Sequence, residues 1–285
     1  MPATAGIYVL IATAVLSPGL AARAADVTDA VPGHPGVTYE HLLRQAMPGL
    51  KKNDDGTWDS GPLRHFRDLA DKPALTEDKP PQDLEIAFGS VDTLTVCENG
   101  HRRLLLLTQD NAGGTGFDAV LAAFDDEAKV PKFLDYVDAG RDRFNGIGEV
   151  MALTPGSDAF VATSSHSNSS QSYEMVTPLF LRGGKFQEIA SLFIYGVGTC
   201  SYSITQDRSF MVRPNKTSEY GDVVGRITVE TKPGDSDCGD ESKPPKYSKK
   251  AVTDTWHWHA KKAAFVPATG ALDRLSAKNW KDMEQ

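Results

Sequence analysis

The chain has 285 residues, of which 40% are hydrophobic and 24% are charged, an ordinary composition for a globular protein. Its formal charge is −8, and its lysines and arginines are scattered rather than gathered into a basic stripe with aromatic residues. We therefore expect no binding to nucleic acid or to an anionic membrane, because both need a phosphate-neutralising surface. The length allows one large β domain or two smaller ones.

The first residues have the pattern of a secretory signal peptide. Gly6 to Leu16 is an apolar run shorter than the about twenty residues that span a bilayer, and a Ser-Pro-Gly breaker follows it. Ala22-Arg23-Ala24 then supplies small residues at the two positions that a signal peptidase requires. The sequence predicts that residues 1–24 are removed and that the protein is periplasmic or secreted. No later segment is apolar for about eighteen residues, so no membrane span is expected.

Residues 25–83 are predicted to form an extended linker and short helices. Proline and glycine recur over 25–37, which favours the linker. Thr38 is placed to cap a short helix that Pro48-Gly49 would end. A second short helix is predicted over 62–70, because a proline opens it and apolar residues recur on one face. Proline- and charge-rich residues 71–83 predict a domain boundary.

Residues 84–272 are predicted to form a β domain. The dipeptides Asn99-Gly100 and Gly183-Gly184 indicate two-residue hairpins, because these residues tolerate the positive φ that such turns need. The polar stretch 233–246 is rich in proline and glycine and indicates a surface loop between two long strands. Residues 273–285 are predicted to be a short charged C-terminal helix and tail.

The β domain contains three similar units, each an apolar strand, a polar loop, a strand, a turn and a strand. Leu104, Ala159 and Ser209 mark their starts at a spacing of about fifty residues. This predicts a mainly β fold with a small N-terminal helical segment, made of antiparallel β-meander repeats in a propeller-like or sandwich arrangement. The order of units over 84–272 resembles the blade-like β-repeats of secreted bacterial proteins. The resemblance implies no activity, and because the calcium signature of integrin-type blades is absent, it carries over no functional residue.

The chain has three cysteines, Cys97, Cys200 and Cys238, and an oxidising compartment would pair two of them. Three pairings are possible. We favour Cys200 with Cys238, because Cys238 lies in the long polar loop that most needs tethering. Cys97 lies on a hydrophobic strand and is then expected to be a buried, unpaired thiol.

Trp256-His257-Trp258-His259 is the most unusual run in the sequence. On a strand the two histidines share one face and the two tryptophans share the other. Two imidazoles so placed can reach one divalent metal ion, with His166 or His101 as a third ligand. The alternative is that the tryptophan face is core and the histidine face is a solvated sheet surface.

Residues 163–172 read Thr-Ser-Ser-His-Ser-Asn-Ser-Ser-Gln-Ser and are predicted to be a polar loop around His166. Such a density of hydroxyl and amide groups suits a polar ligand such as a sugar, with Ser165, His166 and Asn168 as candidate contacts. No nucleophile motif surrounds the serines, so nucleophilic catalysis is not predicted. The alternative is a solvated connection between strands.

Two functions follow from these patterns. The first is a secreted or periplasmic non-catalytic binding or interaction protein without a cofactor, whose partner is another protein or a polar ligand. It rests on β-rich repetition and on the lack of a catalytic motif in the sequence. The second is a metal-dependent hydrolase built on His257 and His259, which a third and a fourth metal ligand would have to complete.

Overall fold

The computed structural model describes residues 23–63, 67–68, 85–109, 118–234 and 245–284. Within these ranges the chain is mainly β, with two helices and three sheets. Neighbouring strands are antiparallel except for one short pair at a sheet edge. The predicted class, a mainly β fold with a small N-terminal helical segment and antiparallel meanders, is confirmed.

The N-terminal part begins with β1 (Arg23–Asp26) and α1 (Tyr39–Ala46). Thr38 caps α1 as predicted, because its hydroxyl accepts a hydrogen bond from the backbone N–H of His41 at 3.3 Å. Four short strands follow, namely β2 (Lys51–Lys52), β3 (Trp58–Asp59), β4 (Arg67–Asp68) and β5 (Ala87–Phe88). The strands β2, β3 and β5 form a small sheet of their own.

The first large sheet has six strands. Its central members are β6 (Ser90–Glu98), β7 (His101–Gln109), β8 (Asp118–Asp125) and β9 (Lys132–Arg141), and the order across the sheet is β1-β6-β7-β8-β9-β4. The predicted Asn99-Gly100 turn joins β6 to β7, and the two residues have φ values of 50° and 82°. β4 pairs in parallel with β9 at the far edge.

The second large sheet has nine strands in the order β10-β11-β12-β14-β15-β16-β17-β18, with β13 beside β12. Their bounds are β10 (Phe144–Thr154), β11 (Ser157–Ser167), β12 (Gln171–Arg182), β13 (Lys185–Glu188), β14 (Leu192–Gly198), β15 (Tyr202–Arg213), β16 (Asp222–Pro233), β17 (Ser248–His259) and β18 (Ala264–Pro267). The predicted Gly183-Gly184 turn joins β12 to β13, with φ values of 61° and 72°. The predicted loop 233–246 lies between β16 and β17, largely outside the described residues.

The four leucines of β7 show how the two large sheets are stacked. All of Leu104 to Leu107 are buried, although side chains alternate across a strand. Leu104 and Leu106 pack in one cluster with Leu42 of α1, whereas Leu105 and Leu107 pack in another with Phe160 of β11. The six-stranded sheet therefore lies between the N-terminal part and the nine-stranded sheet.

The nine-stranded sheet has a further core, because it folds back over itself. Phe180 of β12 and Trp258 of β17 have ring centroids 6.0 Å apart, although three strands separate β12 from β17 in the sheet. Phe265 and Tyr220 complete this aromatic cluster. No sheet in the described part closes into a barrel.

The helix α2 (Ala271–Met283) is the predicted C-terminal helix, and Asp254 of β17 fixes its start. The buried carboxylate of Asp254 accepts hydrogen bonds from the backbone N–H groups of Thr269 at 3.1 Å and Ala271 at 2.6 Å. Burial opposes ionisation of this group, but the donors outweigh burial and lower the pKa of Asp254. The carboxylate thus serves as a cap for a helix whose N-cap residue, Gly270, has no side chain to offer.

The three predicted repeat units do coincide with strands, since Leu104, Ala159 and Ser209 lie on β7, β11 and β15. The first unit belongs to the six-stranded sheet, however, and the other two lie in the nine-stranded sheet. Propeller blades are equivalent separate sheets. Of the two predicted arrangements, the structure therefore has the stacked sheets of a sandwich.

The prediction of an extended linker over 25–37 is wrong. Val27, Val31 and Val37 are buried in the same cluster as the six-stranded sheet. His34 Nε2 donates a hydrogen bond of 2.6 Å to Asp126, and both side chains are nearly inaccessible. Proline and glycine here shape tight turns within a packed segment. Burial of the spaced valines holds this segment against the six-stranded sheet.

The prediction of a second helix over 62–70 is wrong where the structure describes it. Arg67 and Asp68 form β4 and pair with Val137 and Asp138 of β9. A local helical periodicity is a weak preference that pairing with a sheet edge overrides. The predicted domain boundary at 71–83 lies outside the described residues. On either side of it, Leu63 and Ile86 belong to one core cluster.

Candidate functional site

The candidate site is an open cavity of about 540 Å³ where β15 diverges from β14. The two strands pair only through Val197 with Ile204 and Gly198 with Ser203, and beyond these pairs they separate. The tip of the β11–β12 hairpin and the start of β10 form the remaining walls. Its volume falls within the range of roughly 300–1,000 Å³ that is typical of small-ligand pockets.

One row of residues across four strands defines the cavity wall. Phe144 pairs with Ser165, Ser165 with Glu174, and Glu174 with Ile194. Residues paired in this way point to the same face of a sheet, and all four line the cavity. Phe144 lies at the rim with 59% of its surface exposed. An accessible aromatic ring thus stands next to a hydroxyl group and a carboxylate.

Most of the polar groups around the cavity are uncharged. Amide side chains come from Asn168, Gln171 and Gln206, and Thr205 adds a hydroxyl. Further hydroxyl groups belong to two tyrosines, Tyr173 and Tyr195, and to six serines, Ser165, Ser167, Ser169, Ser170, Ser172 and Ser203. Among the described lining residues there is no lysine, arginine or aspartate. The cavity therefore offers many hydrogen-bond donors and acceptors and little charge.

Glu174 carries the carboxylate of this wall, and Arg208 of β15 holds it. Arg208 Nε donates to Glu174 Oε2 and Arg208 Nη2 to Glu174 Oε1, each at 3.1 Å, which is a two-pronged contact. The third nitrogen of the guanidinium binds Glu149 of β10. Burial lowers the pKa of Arg208, but the two carboxylates outweigh burial and raise it. Arg208 thus stays charged and ties β10, β12 and β15 together.

The predicted contact His166 borders the cavity, but its side chain lies on the opposite face from Ser165. His166 Nδ1 donates a hydrogen bond of 2.9 Å to Asp142, and its ring stacks on Tyr173 at 5.6 Å between centroids. The Tyr173 hydroxyl donates to the other oxygen of Asp142. Burial, and then the adjoining Asp142 carboxylate, raise the pKa of Tyr173 to about 12. Asp142, His166 and Tyr173 therefore form a hydrogen-bonded cluster, and His166 and Tyr173 both line the cavity.

The predicted polar loop 163–172 is mostly a hairpin of two strands. β11 runs to Ser167, the turn covers 168–170, and β12 begins at Gln171. Asn168 Oδ1 accepts hydrogen bonds from the backbone N–H groups of Ser170 at 3.0 Å and Gln171 at 2.8 Å. Asn168 shapes this turn and also borders the cavity. All three predicted contacts, Ser165, His166 and Asn168, line the cavity.

The structure places Trp256, His257, Trp258 and His259 on β17 with the predicted alternation. Both tryptophans are buried and both histidines are exposed. His257 Nδ1 lies 2.9 Å from a carboxylate oxygen of Asp222. Burial raises the pKa of Asp222, but its bonds to Asn215 and His257 outweigh burial and lower it. The solvated-face alternative thus describes this stretch.

The structure does not bring the predicted metal ligands, His257, His259 and His166, together. His166 binds Asp142 on the β11–β12 hairpin, whereas His257 binds Asp222 on β16. His101, the other predicted third ligand, pairs with Glu127 at 2.7 Å. Over the ranges that the structure describes, no three side chains of histidine, cysteine, aspartate or glutamate are grouped so as to hold a metal ion. The metal site built on His257 and His259 stays a prediction of the sequence alone.

Cys97 is a free thiol, as predicted, but it is half-buried rather than buried. Burial, and then the carboxylate of Asp158, raise the pKa of the Cys97 thiol, which disfavours the reactive thiolate. Cys238 lies outside the described residues. The pairing of Cys200 with Cys238 therefore stays a prediction.

Sequence reasoning missed Phe144, Glu174 and Arg208. Each lies in an ordinary strand without a local motif, and Arg208 comes 34 residues after Glu174. One available signal was Glu174 itself, a carboxylate on a strand next to a run of hydroxyl residues. Its partner and its position in the cavity depend on how β15 folds over β12.

No helix in the described part is both long and apolar enough to cross a membrane. Comparisons of this chain with protein-family models, with curated proteins and with solved structures find no match.

Proposed function

We propose that this chain is a secreted or periplasmic, non-catalytic binding protein whose cavity takes a neutral, hydroxyl-rich ligand of the sugar class. The observation that carries the proposal is the composition of the cavity wall. Hydroxyl and amide groups surround a space of about 540 Å³, and the exposed ring of Phe144 stands at its rim. This volume suits one or a few sugar rings, since ligand pockets span roughly 300–1,000 Å³.

Sugar rings match such a wall because they have two kinds of surface. Their hydroxyl groups both donate and accept hydrogen bonds, as serine, asparagine and glutamine side chains do. Their ring C–H groups form a small apolar face that can lie on an aromatic ring. Phe144 offers that ring, and Ser165 and Glu174 lie beside it in the same row.

Export of the protein rests on the apolar run of Gly6 to Leu16 and the Ala22-Arg23-Ala24 step that follows it. A ligand site rich in hydroxyl groups suits an extracytoplasmic protein that meets free or polymeric sugars.

The proposal is tested by titrating the protein with a panel of neutral mono- and oligosaccharides in a calorimeter. At least one of them should bind, and Phe144→Ala should weaken that binding by about two- to tenfold, because an aromatic contact is worth about 0.5–1.5 kcal/mol beyond its buried area. Tyr247→Ala is the matched control, since Tyr247 has the same 59% exposure outside the cavity. It should leave the dissociation constant unchanged. Absence of binding to every saccharide would refute the proposed function.

A further inference from the structure

We propose that Glu174 orients the ligand in the cavity and makes the site selective for neutral over anionic sugars. This inference rests on the proposed function and adds the residue that decides specificity. Glu174 lies in the cavity-facing row between Ser165 and Ile194, and about a third of its side chain, 30%, is exposed to solvent.

Arg208 fixes the carboxylate but leaves it able to bind. Each oxygen of Glu174 accepts one hydrogen bond from Arg208, at 3.1 Å. A carboxylate has about four lone-pair sites, so both oxygens keep acceptor capacity. Two neighbouring hydroxyl groups of a sugar can donate to these two oxygens. Because Arg208 already holds the carboxylate in place, the ligand would not have to immobilise it.

The net charge of Arg208, Glu174 and Glu149 disfavours the binding of anionic ligands. Arg208 carries one positive charge and is bound by two carboxylates, Glu174 and Glu149, so the three side chains together carry one negative charge. The described lining residues offer no lysine or arginine to offset that charge. A ligand carboxylate or sulfate would lie close to Glu174 in a partly enclosed site, where like charges repel strongly.

Glu149 provides a matched comparison within the same assembly. It binds Arg208 as Glu174 does, but it is more exposed, at 47%, and does not line the cavity. It lies in an irregular stretch of β10 with a left-handed φ of 49°. Removing its charge alters the pairing of Arg208 without altering the cavity wall.

The experiment is a glycan array with matched neutral and acidic members, such as glucose- and glucuronate-terminated glycans, probed with the full chain and two variants. The unmodified chain should bind neutral glycans and bind their acidic counterparts at least about tenfold more weakly. Glu174→Gln should weaken binding to the neutral glycans by at least about tenfold, as expected for lost hydrogen bonds to a charged group. Glu174→Gln should also reduce the difference in affinity between the neutral and the acidic glycans. Glu149→Gln should bind the neutral glycans within about threefold of the unmodified chain, because an exposed ion pair is worth little.

The outcomes separate this inference from the proposed function. If neutral glycans bind but the unmodified chain binds acidic counterparts equally well, the charge selectivity is wrong and the sugar site stands. If neutral glycans bind and Glu174→Gln, shown by circular dichroism to be folded, binds them like the unmodified chain, Glu174 does not orient the ligand. If no glycan binds, the proposed function and this inference fall together. The selectivity of the unmodified chain needs no variant, so it decides the charge effect even if Glu174→Gln does not fold.

Discussion

Trp258→Ala should strongly destabilise the fold, whereas a change at its neighbour His259 should not. Trp258 is 8% exposed, and its ring lies 4.9 Å from Tyr220, 5.5 Å from Phe265 and 6.0 Å from Phe180. Truncating a buried tryptophan removes its transfer energy and leaves a cavity, which together cost about 3–5 kcal/mol. His259→Ala on the exposed face should change the free energy of unfolding by no more than about 0.5 kcal/mol.

The indole nitrogen of Trp258 affects how much stability each substitution at this position should cost. Its Nε1 is buried and has no hydrogen-bond partner among the described residues. A buried unsatisfied donor costs about 1–3 kcal/mol, and Trp258→Phe removes that donor while keeping most of the ring. We therefore expect Trp258→Phe to lose less than half of what Trp258→Ala loses.

Urea unfolding followed by circular dichroism measures all three variants under one condition, without relying on tryptophan emission. The slope of the free energy with urea should stay constant, so that shifts of the midpoint report stability. Equal losses for Trp258→Ala and His259→Ala would refute the assignment of opposite faces on β17. A larger loss for Trp258→Phe than for Trp258→Ala would refute the argument about the indole nitrogen.

Two further predictions concern stability. Asp254→Ala should cost about 2–3 kcal/mol, because it exposes the uncapped N–H groups at the start of α2, whereas the control Asp273→Ala in the first turn should cost much less. Because the pKa of Asp254 is lowered in the folded state, its ionised carboxylate stabilises the fold fully above the unfolded pKa of about 3.9, and this stabilisation is lost as the pH falls through the lower folded value. The free energy of unfolding of Asp254→Asn should therefore fall less between about pH 5 and pH 2 than that of the unmodified chain. An equal fall in the two proteins would contradict this. Peptide mapping without reduction should find a Cys200–Cys238 peptide, and a disulfide that includes Cys97 would overturn the pairing.

The sequence alone predicted the features that depend on neighbouring residues. The turns at Asn99-Gly100 and Gly183-Gly184 form because those residues accept positive φ wherever the strands go. Thr38 caps α1 because a cap needs only the next turn of the chain. The alternation of tryptophan and histidine on β17 follows from the geometry of any strand. Ser165 could be proposed as a contact because hydroxyl residues are dense around it.

The tertiary structure alone decided which strands share a sheet and which residues meet in the cavity. The segment 25–37 has the composition of a linker, yet its valines are buried, because burial depends on the sheet that covers them. Glu174 gains a partner in Arg208 and a place in the cavity wall only because β15 diverges from β14 and passes over β12. No local pattern encodes such a contact, because its energy comes from groups that folding brings together from distant parts of the chain.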